Sequence, residues 1–290
     1  MPSVSTIIPT YNRPAFLREA LASVLAQTYR DSETIVVDDG STNAARDATQ
    51  QIVEEYARAR SHPIRYLFQP HQGVSAARNR GVAASQGELL AFLDSDDVWQ
   101  PEKLAQQVAF FEARPTAQIC QTQETWIRHG VRVNPRKKHR KPHGDIFVQS
   151  LARCLVSPSA VMLRRELFER MGGFDEQLPA CEDYDLWLRI SVREPVHLID
   201  TPLVLKRGGH VDQLSRQFWG MDRFRLIALR KLLDSGRLSL QQRQATLSMF
   251  HKKCRILANG ARKRGKSAEP YLALVAHYPC AQKESYGETG

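Results

Sequence analysis

The sequence predicts an α/β fold with a mostly parallel central sheet flanked by helices. In the first 113 residues, short apolar segments rich in β-branched residues alternate with longer segments whose apolar residues recur at helical spacing. Each short segment is followed by polar residues, glycine or proline, as is typical of parallel strands that present their carboxyl ends at one edge of a sheet.

Four strands and four helices account for this amino-terminal part. The strands are predicted at 4–8, 33–37, 64–68 and 89–93, and the helices at 14–25, 46–59, 74–84 and 102–113. Pro14 lies in the first turn of the first helix, where its missing N–H group costs nothing. Arg114-Pro115 ends the last helix, because the residue before a proline disfavours helical geometry.

The second part of the chain, from about 117 to 207, mixes short strands with the basic insertion 136–143. We interpret this insertion as a solvated loop, with a lid or a site for an anionic acceptor as the alternative. From 218 onward the sequence is helical in character, and the polar tail 281–290 has little reason to be ordered.

Composition bounds the classes of function. A chain of 290 residues with 42% hydrophobic residues buries a sizeable core. The net charge of +10 is uneven, because residues 222–266 contain 13 Lys and Arg against 2 acids and the remainder contains 28 against 29. The isoelectric point therefore gives no general indication of nucleic-acid binding. Five scattered cysteines, never in a Cys-x-x-Cys pair, argue against a disulfide framework or a zinc site and are expected to be reduced.

No apolar stretch of the sequence reaches the length that spans a bilayer, and the first residues open directly into a predicted strand. We therefore expect a cytoplasmic location without a leader or an anchor.

The run Asp94-Ser95-Asp96-Asp97 is the most informative motif, because it places three carboxylates at the carboxyl end of the fourth strand. Clustered carboxylates repel one another unless a cation lies between them. Their oxygens suit Mg²⁺ or Mn²⁺ bridging to a diphosphate. The alternative is a solvated turn that caps the following helix.

The other three strand ends also carry polar or special residues, which should converge with the acid run on one crevice. These segments are Pro9-Thr10-Tyr11-Asn12-Arg13, Asp38-Asp39-Gly40-Ser41 and Gln69-Pro70-His71-Gln72-Gly73.

With these motifs in this order, the chain resembles the family 2 glycosyltransferases, which have a Rossmann-like GT-A fold. The resemblance covers about residues 3–217 and also rests on the segments Gly73-Val74-Ser75-Ala76-Ala77-Arg78-Asn79-Arg80-Gly81, Gly172-Gly173-Phe174-Asp175 and Glu182-Asp183-Tyr184-Asp185-Leu186-Trp187. It implies a catalytic domain at 1–217, with a nucleotide-sugar-binding half at 1–115 and an acceptor-binding half at 116–217. Residues 218–290 would form a basic helical extension.

The resemblance also implies roles for single residues. Asp183 would be the general base, with Glu182 as a supporting residue. Asp96 and His210 would bind the metal, and Asp97 would assist either Asp96 or the ribose contact of Asp94. The residues implied to bind the nucleotide sugar are Pro9, Tyr11, Arg13, Asp39, Arg78, Asp94, Ser95 and Asp96. Structural alternatives remain open: an Asp-Gly turn at Asp39, a surface salt bridge at Arg78, a helix cap at Asp183 and a solvated loop at His210.

The implied reaction moves one sugar from a nucleotide-diphosphate donor, with UDP favoured, to a hydroxyl acceptor with inversion and with Mn²⁺ or Mg²⁺. A sugar or lipid-linked glycan would be the acceptor, in cell-surface polysaccharide or glycan assembly. A nucleic-acid-binding module and a non-catalytic GT-A homologue are the rivals.

A processive synthase is excluded because the chain lacks membrane spans and a Gln-x-x-Arg-Trp motif. A nucleotide-dependent oxidoreductase is excluded because no Gly-x-Gly-x-x-Gly follows the first strand. For the basic segment 223–266, a packed helical face and an anionic membrane contact both remain open.

Overall fold

The computed structural model describes residues 2–59, 62–134, 139–209 and 218–279. The amino-terminal elements are β1 (Val4–Thr10), α1 (Pro14–Leu25), β2 (Ser32–Asp39), α2 (Asn43–Ala59), β3 (Ile64–Gln69), α3 (Val74–Ala83), β4 (Leu89–Phe92), β5 (Val98–Trp99) and α4 (Lys103–Ala113). They are followed by β6 (Ile119–Arg128), β7 (Val131–Val133), α5 (Phe147–Ser150), β8 (Val161–Arg164), α6 (Arg165–Arg170), α7 (Glu182–Ser191), β9 (His197–Gly208), α8 (Asp222–Asp234), α9 (Leu240–Lys263) and α10 (Glu269–His277).

The described strands form one mixed sheet in the order β3-β2-β1-β4-β8-β6-β9-β5, and β7 pairs with β6 at its side. The first four strands are parallel, with Val4 of β1 opposite Ser32 of β2 and Leu89 of β4. β8 then runs antiparallel to β4 and to β6. The α/β fold and the four parallel strands predicted from the sequence are confirmed, and the carboxyl ends of these strands meet at one edge.

Alternate residues of the central strands enter two different cores, as the period of two in a strand requires. Ile8 and Ala91 pack with α1, α2 and α4 on one face of the sheet. Ile7, Leu90 and Phe92 pack with α6 and α7 on the other face. Because both faces are covered by helices, β1, β2 and β4 are buried along their whole length.

The carboxyl-terminal helices α8 and α9 share a third core with α5 and α7. Ser239 begins α9 with a capping box, in which its side chain accepts from the Gln242 N–H and the Gln242 side chain accepts from the Ser239 N–H. Lys231 of α8 lies 2.6 Å from Asp175 and 2.8 Å from Asp185 of α7. One face of the basic segment is therefore packed on the helix that carries the predicted base.

None of the described helices combines the length and the apolar character that a membrane crossing requires. The predicted domain boundary at 217 and the tail 281–290 lie outside the described residues.

Candidate active site

Asp94, Asp96 and Asp97 lie in the turn after β4. One oxygen of each carboxylate lies within 4.8 Å of the other two. Asp97 is buried, whereas Asp94 and Asp96 are half-buried. Burial raises the pKa of Asp97 to about 8; the ammonium of Lys206 opposes this shift and the charges of Asp96 and Asp94 add to it. Three oxygen donors that repel one another fit a hard divalent cation such as Mg²⁺ or Mn²⁺.

One ion pair and one backbone hydrogen bond connect this acid cluster to neighbouring elements. Arg13 lies 3.1 Å from Asp96 through its Nη1 atom, which brings the loop after β1 to the cluster. Asp97 accepts a hydrogen bond of 2.9 Å from the backbone N–H of Arg207 in β9. Ser95, between the acids, is buried. The motif therefore lies where the loop after β1 and the end of β9 converge.

Asp39 accepts hydrogen bonds from the loop after β3. Its Oδ1 accepts from the Gln69 side chain at 2.7 Å and from the Gln72 N–H at 2.9 Å. Its Oδ2 accepts from the Gly73 N–H at 2.8 Å, and Nδ1 of His71 lies 2.8 Å away. These four contacts use the lone pairs that a carboxylate offers. Hydrogen bonding of Asp39 to a nucleotide sugar, the role that the resemblance implies, would require one of these four contacts to open.

His71 is a residue that the sequence analysis did not assign to the site. Its ring stacks on Tyr11 with centroids 4.3 Å apart. Tyr11 is 43% exposed, and Pro9 is buried at the end of β1. The polar loop after the third strand was the sequence feature that could have indicated His71. The stack itself joins residues 60 positions apart, and no local sequence pattern reveals such a contact.

Arg78 links the acid cluster to α7. Its guanidinium is buried and lies 2.7 Å from Asp94 on one side and 2.7 Å from Glu182 on the other. The ring of Phe174 covers it at 5.0 Å. The alternative of a surface salt bridge at Arg78 is wrong, because the pair is buried. Burial and the charge of Asp183 raise the pKa of Glu182 to about 6, although Arg78 opposes the shift.

Asp183 lies half-buried in the first turn of α7. Its Oδ1 accepts from the Tyr184 N–H at 2.6 Å, and its Oδ2 accepts from the thiol of Cys154 at 3.3 Å. The helix start is favourable for a carboxylate, because the free N–H groups of the first turn carry partial positive charge. Cys181 directly before the helix has a φ of 64°, in the left-handed region. The residue that precedes the helix therefore has a strained backbone conformation.

With this geometry in place, comparison with known proteins identifies the family. Residues 5–172 match the sequence profile of glycosyl transferase family 2. The chain belongs to this family.

Relatives within family 2 match different shares of the chain. An uncharacterised glycosyltransferase of Rickettsia conorii is 31% identical over 225 residues, which are 74% of this chain and 35% of the relative. A protein of Bacillus subtilis, provisionally named teichuronic acid biosynthesis glycosyltransferase TuaG, is 33% identical over 165 residues, which are 57% of this chain and 63% of the relative. The chain thus spans about a third of the length of the first relative.

Solved structures share the fold at low identity. TarS 1-349 of S. aureus in complex with UDP-GlcNAc aligns with a TM-score of 0.69 and 20% identity, over 94% of this chain and 76% of that chain. The mannosyltransferase PcManGT of Pyrobaculum calidifontis, in complex with GDP-Man and Mn²⁺, aligns with a TM-score of 0.64 and 21% identity, over 95% of this chain and 79% of that chain. The GT-A fold expected for family 2 is confirmed.

A buried charged cluster in this family 2 chain adjoins the acids. The ammonium of Lys206 donates to Ser157 at 2.6 Å. Glu124 lies 3.1 Å from Lys141 and 4.0 Å from Lys206. Burial alone would lower the pKa of Lys206, but the charges of Glu124 and Asp97 raise it well above its ordinary value. A persistent cation therefore lies beside the acid cluster.

The prediction of a solvated loop at 136–143 is wrong at Lys141, whose side chain is buried against Glu124. Its partner lies 17 positions earlier on β6, so the basic run alone could not reveal the pairing. Residues 135–138 and His210 lie outside the described residues. Leu186, Trp187 and Ile190 are buried in the core.

Proposed function

We propose that this family 2 chain transfers one sugar from a nucleotide-diphosphate donor to a hydroxyl acceptor with inversion at the anomeric carbon. The observation that carries the proposal is the bridge through Arg78, which ties the acid cluster to the helix of Asp183. This bridge supports the proposal, because it connects the carboxylates proposed to bind the donor to the helix of the proposed base. A single displacement needs no enzyme nucleophile.

Asp96 is the proposed metal ligand, with Asp94 and Asp97 beside it and His210 as a further candidate. A bound Mn²⁺ or Mg²⁺ would neutralise the charge that develops on the departing diphosphate. Lys206 adds a positive charge beside the same cluster. The support is the oxygen donor set of the three carboxylates and the presence of Mn²⁺ with GDP-Man in the structural neighbour PcManGT.

Asp183 is the proposed general base. Its carboxylate is held by the Tyr184 N–H and by the Cys154 thiol. A base must be held within hydrogen-bond reach of the hydroxyl that it deprotonates, and the first turn of a buried helix holds it rigidly. Glu182, paired with Arg78, supports the position of the turn.

The donor is proposed to be a UDP sugar, since TarS binds UDP-GlcNAc; the GDP-Man complex of PcManGT keeps GDP as the main competitor. Tyr11, Arg13 and Asp39 are proposed to contact the nucleotide. The acceptor is proposed to be a sugar or a lipid-linked glycan at the cytoplasmic face of a membrane, in cell-surface polysaccharide or glycan assembly. The name of the relative TuaG supports this pathway class.

The assignment of the base is tested with Asp183→Asn. Because a general base acts in the transition state, the variant should lose about 10²- to 10⁴-fold in transfer rate while donor affinity changes little. Asp200→Asn, at an exposed carboxylate of β9, is the matched control and should keep the wild-type rate. Wild-type transfer by Asp183→Asn would remove Asp183 from the mechanism.

The stereochemistry is tested separately by proton NMR of the product. The anomeric coupling should show the configuration opposite to that of the donor. Retention would contradict the single displacement.

A further inference from the structure

The exposed face of α9 changes its charge halfway along the helix. In the first half it presents the uncharged residues Gln241, Gln244 and Ser248. In the second half it presents Lys252, Arg255, Ile256, Asn259, Arg262 and Lys263, which we call the basic face. These six residues are exposed and follow one another at intervals of one or three, within about a third of the helix circumference.

The four cations of the basic face make no ion pair among the residues that the structure describes. The ion pairs of α8 and α9 in the described part of the chain involve Arg225, Lys231 and Lys253. From 235 to 268 the sequence contains no Asp or Glu. Within the described residues, no ion pair neutralises the charge of the basic face, which is therefore open to an anionic partner.

The helix dipole explains only part of this charge. Cations stabilise the last turn of a helix, and Arg262 and Lys263 lie there. Lys252 and Arg255 lie two to three turns earlier, where the effect has decayed. Their presence on the same face requires another reason.

Exposed apolar side chains accompany the cations. Ile256 lies within the basic face and is 50% exposed. Trp219 is 53% exposed, and its ring lies 4.7 Å from the guanidinium of Arg264 and 4.0 Å from that of Arg223. Cations interspersed with an exposed aliphatic residue, together with an exposed tryptophan beside two further cations outside the basic face, match the chemistry of an anionic lipid headgroup region, where phosphates and acyl chains meet.

The opposite side of the same turns reaches the proposed base. The ammonium of Lys253 donates to the carbonyl of Ala152 at 3.1 Å. Two residues farther on, the thiol of Cys154 donates to Asp183. The basic face therefore belongs to the helix that backs the acceptor side of the site.

We propose that the basic face of α9 docks on an anionic lipid bilayer, the surface at which a lipid-linked acceptor would be held. The choice of acceptor rests on the proposed function. The docking itself does not, because it depends only on surface charge. A cation near an anionic leaflet contributes about fivefold to partitioning, and this contribution falls with added salt.

The test is co-sedimentation of the full chain with vesicles of phosphatidylglycerol and phosphatidylcholine, against phosphatidylcholine alone. The chain should bind the anionic vesicles at low ionic strength and dissociate as salt is added. Replacing the four cations, in Lys252→Gln/Arg255→Gln/Arg262→Gln/Lys263→Gln, should weaken binding roughly several-hundredfold. The matched control carries Arg58→Gln/Arg80→Gln/Arg128→Gln/Arg132→Gln, four exposed arginines of other elements, and should bind within a few-fold of the wild type.

Three outcomes would overturn the proposal. These are failure of the wild type to bind anionic vesicles at low salt, equal loss in both variants, and tighter binding of duplex DNA or single-stranded RNA that depends on the same four cations. Salt and lipid titrations of the wild type decide the matter even if a variant does not fold. Because no donor is present, a failed proposal for the reaction would leave the vesicle result intact.

Discussion

Arg78 shows at the residue scale how the site is assembled. Its guanidinium makes contacts of 2.7 Å with both Asp94 and Glu182, which are far apart in the sequence. Because Arg78 and Glu182 are both buried, loss of the cation would leave a carboxylate without a partner in a poorly solvated place. Removing one partner of a buried ion pair lowers stability far more than replacing the whole pair with apolar residues.

We expect Arg78→Met to lower the free energy of unfolding by about 3–5 kcal/mol near pH 8. Without Arg78, the pKa of Glu182 should rise above the value of about 6 that it has in the intact site. A raised carboxyl pKa favours the folded state at low pH, so the deficit should shrink as the pH falls toward 5. Urea unfolding at several pH values measures both effects.

The matched control for Arg78→Met is Arg80→Met, on the exposed side of the same helix. It should change stability by less than about 0.5 kcal/mol. Equal losses in the two variants, or a deficit that does not vary with pH, would show that the bridge to Glu182 does not act as described.

At the scale of elements, α4 buries a lysine. Lys103 is fully buried, donates to Gln107 at 2.7 Å and lies 3.8 Å from the centre of the Trp99 ring. Burial lowers the pKa of its ammonium to about 7; the charge of Cys120 opposes this shift and that of Lys141 adds to it. The helix therefore packs against the sheet with a side chain whose charge is costly at neutral pH.

This burial predicts a pH dependence of stability. Between about pH 7 and 10 the unfolded chain holds a proton on Lys103 that the folded chain lacks, so the free energy of unfolding should rise by up to about 1.4 kcal/mol per pH unit from this group. Lys103→Met should remove that part of the slope, and Lys252→Met, at an exposed lysine of α9, should keep it. Identical slopes in the wild type and Lys103→Met would contradict the lowered pKa.

The elements that the sequence predicts well are those whose signal is local. The strands β1 to β4 and the helices between them were predicted to within a few residues, because apolar periodicity and turn residues mark them. The strands in the second part of the chain were predicted only as short strands, although β9 extends from His197 to Gly208. Its parallel pairing with β6 contains register shifts near Gln123, which depend on a distant partner and not on local pattern.

At the scale of the whole molecule, the convergence of strand ends was predictable and the contacts within it were not. Parallel strands place the segments after β1, β2, β3 and β4 at one edge, so the sequence indicated that Arg13, Asp39 and Asp96 lie in one region. It could not show that Asp39 is held by the loop after β3, or that Glu124 pairs with Lys141. The residues in these contacts are far apart in the sequence, and their spacing follows neither the helical nor the strand repeat, so sequence periodicity cannot predict them.

The carboxyl-terminal helices join this site to the rest of the molecule. Lys231 bridges Asp175 and Asp185, and α7 lies between these helices and the acid cluster. The basic segment thus packs one face on α7, and its other face, the basic face of α9, is the one proposed to dock on an anionic bilayer.

We propose that the acid cluster binds a nucleotide-diphosphate sugar through a divalent cation, whereas Asp183 acts only in the reaction. The most direct measurement is the thermal stability of the wild type, Asp96→Ala and Asp183→Asn with UDP, GDP, dTDP and CDP sugars, each with and without Mn²⁺. A ligand at 100 times its Kd stabilises the folded state by about 2.7 kcal/mol. We expect one donor class, UDP sugars first, to stabilise the wild type and Asp183→Asn only with Mn²⁺, and Asp96→Ala to show no such response. Absence of stabilisation by every donor with Mn²⁺, or an undiminished response in Asp96→Ala, would contradict the claim.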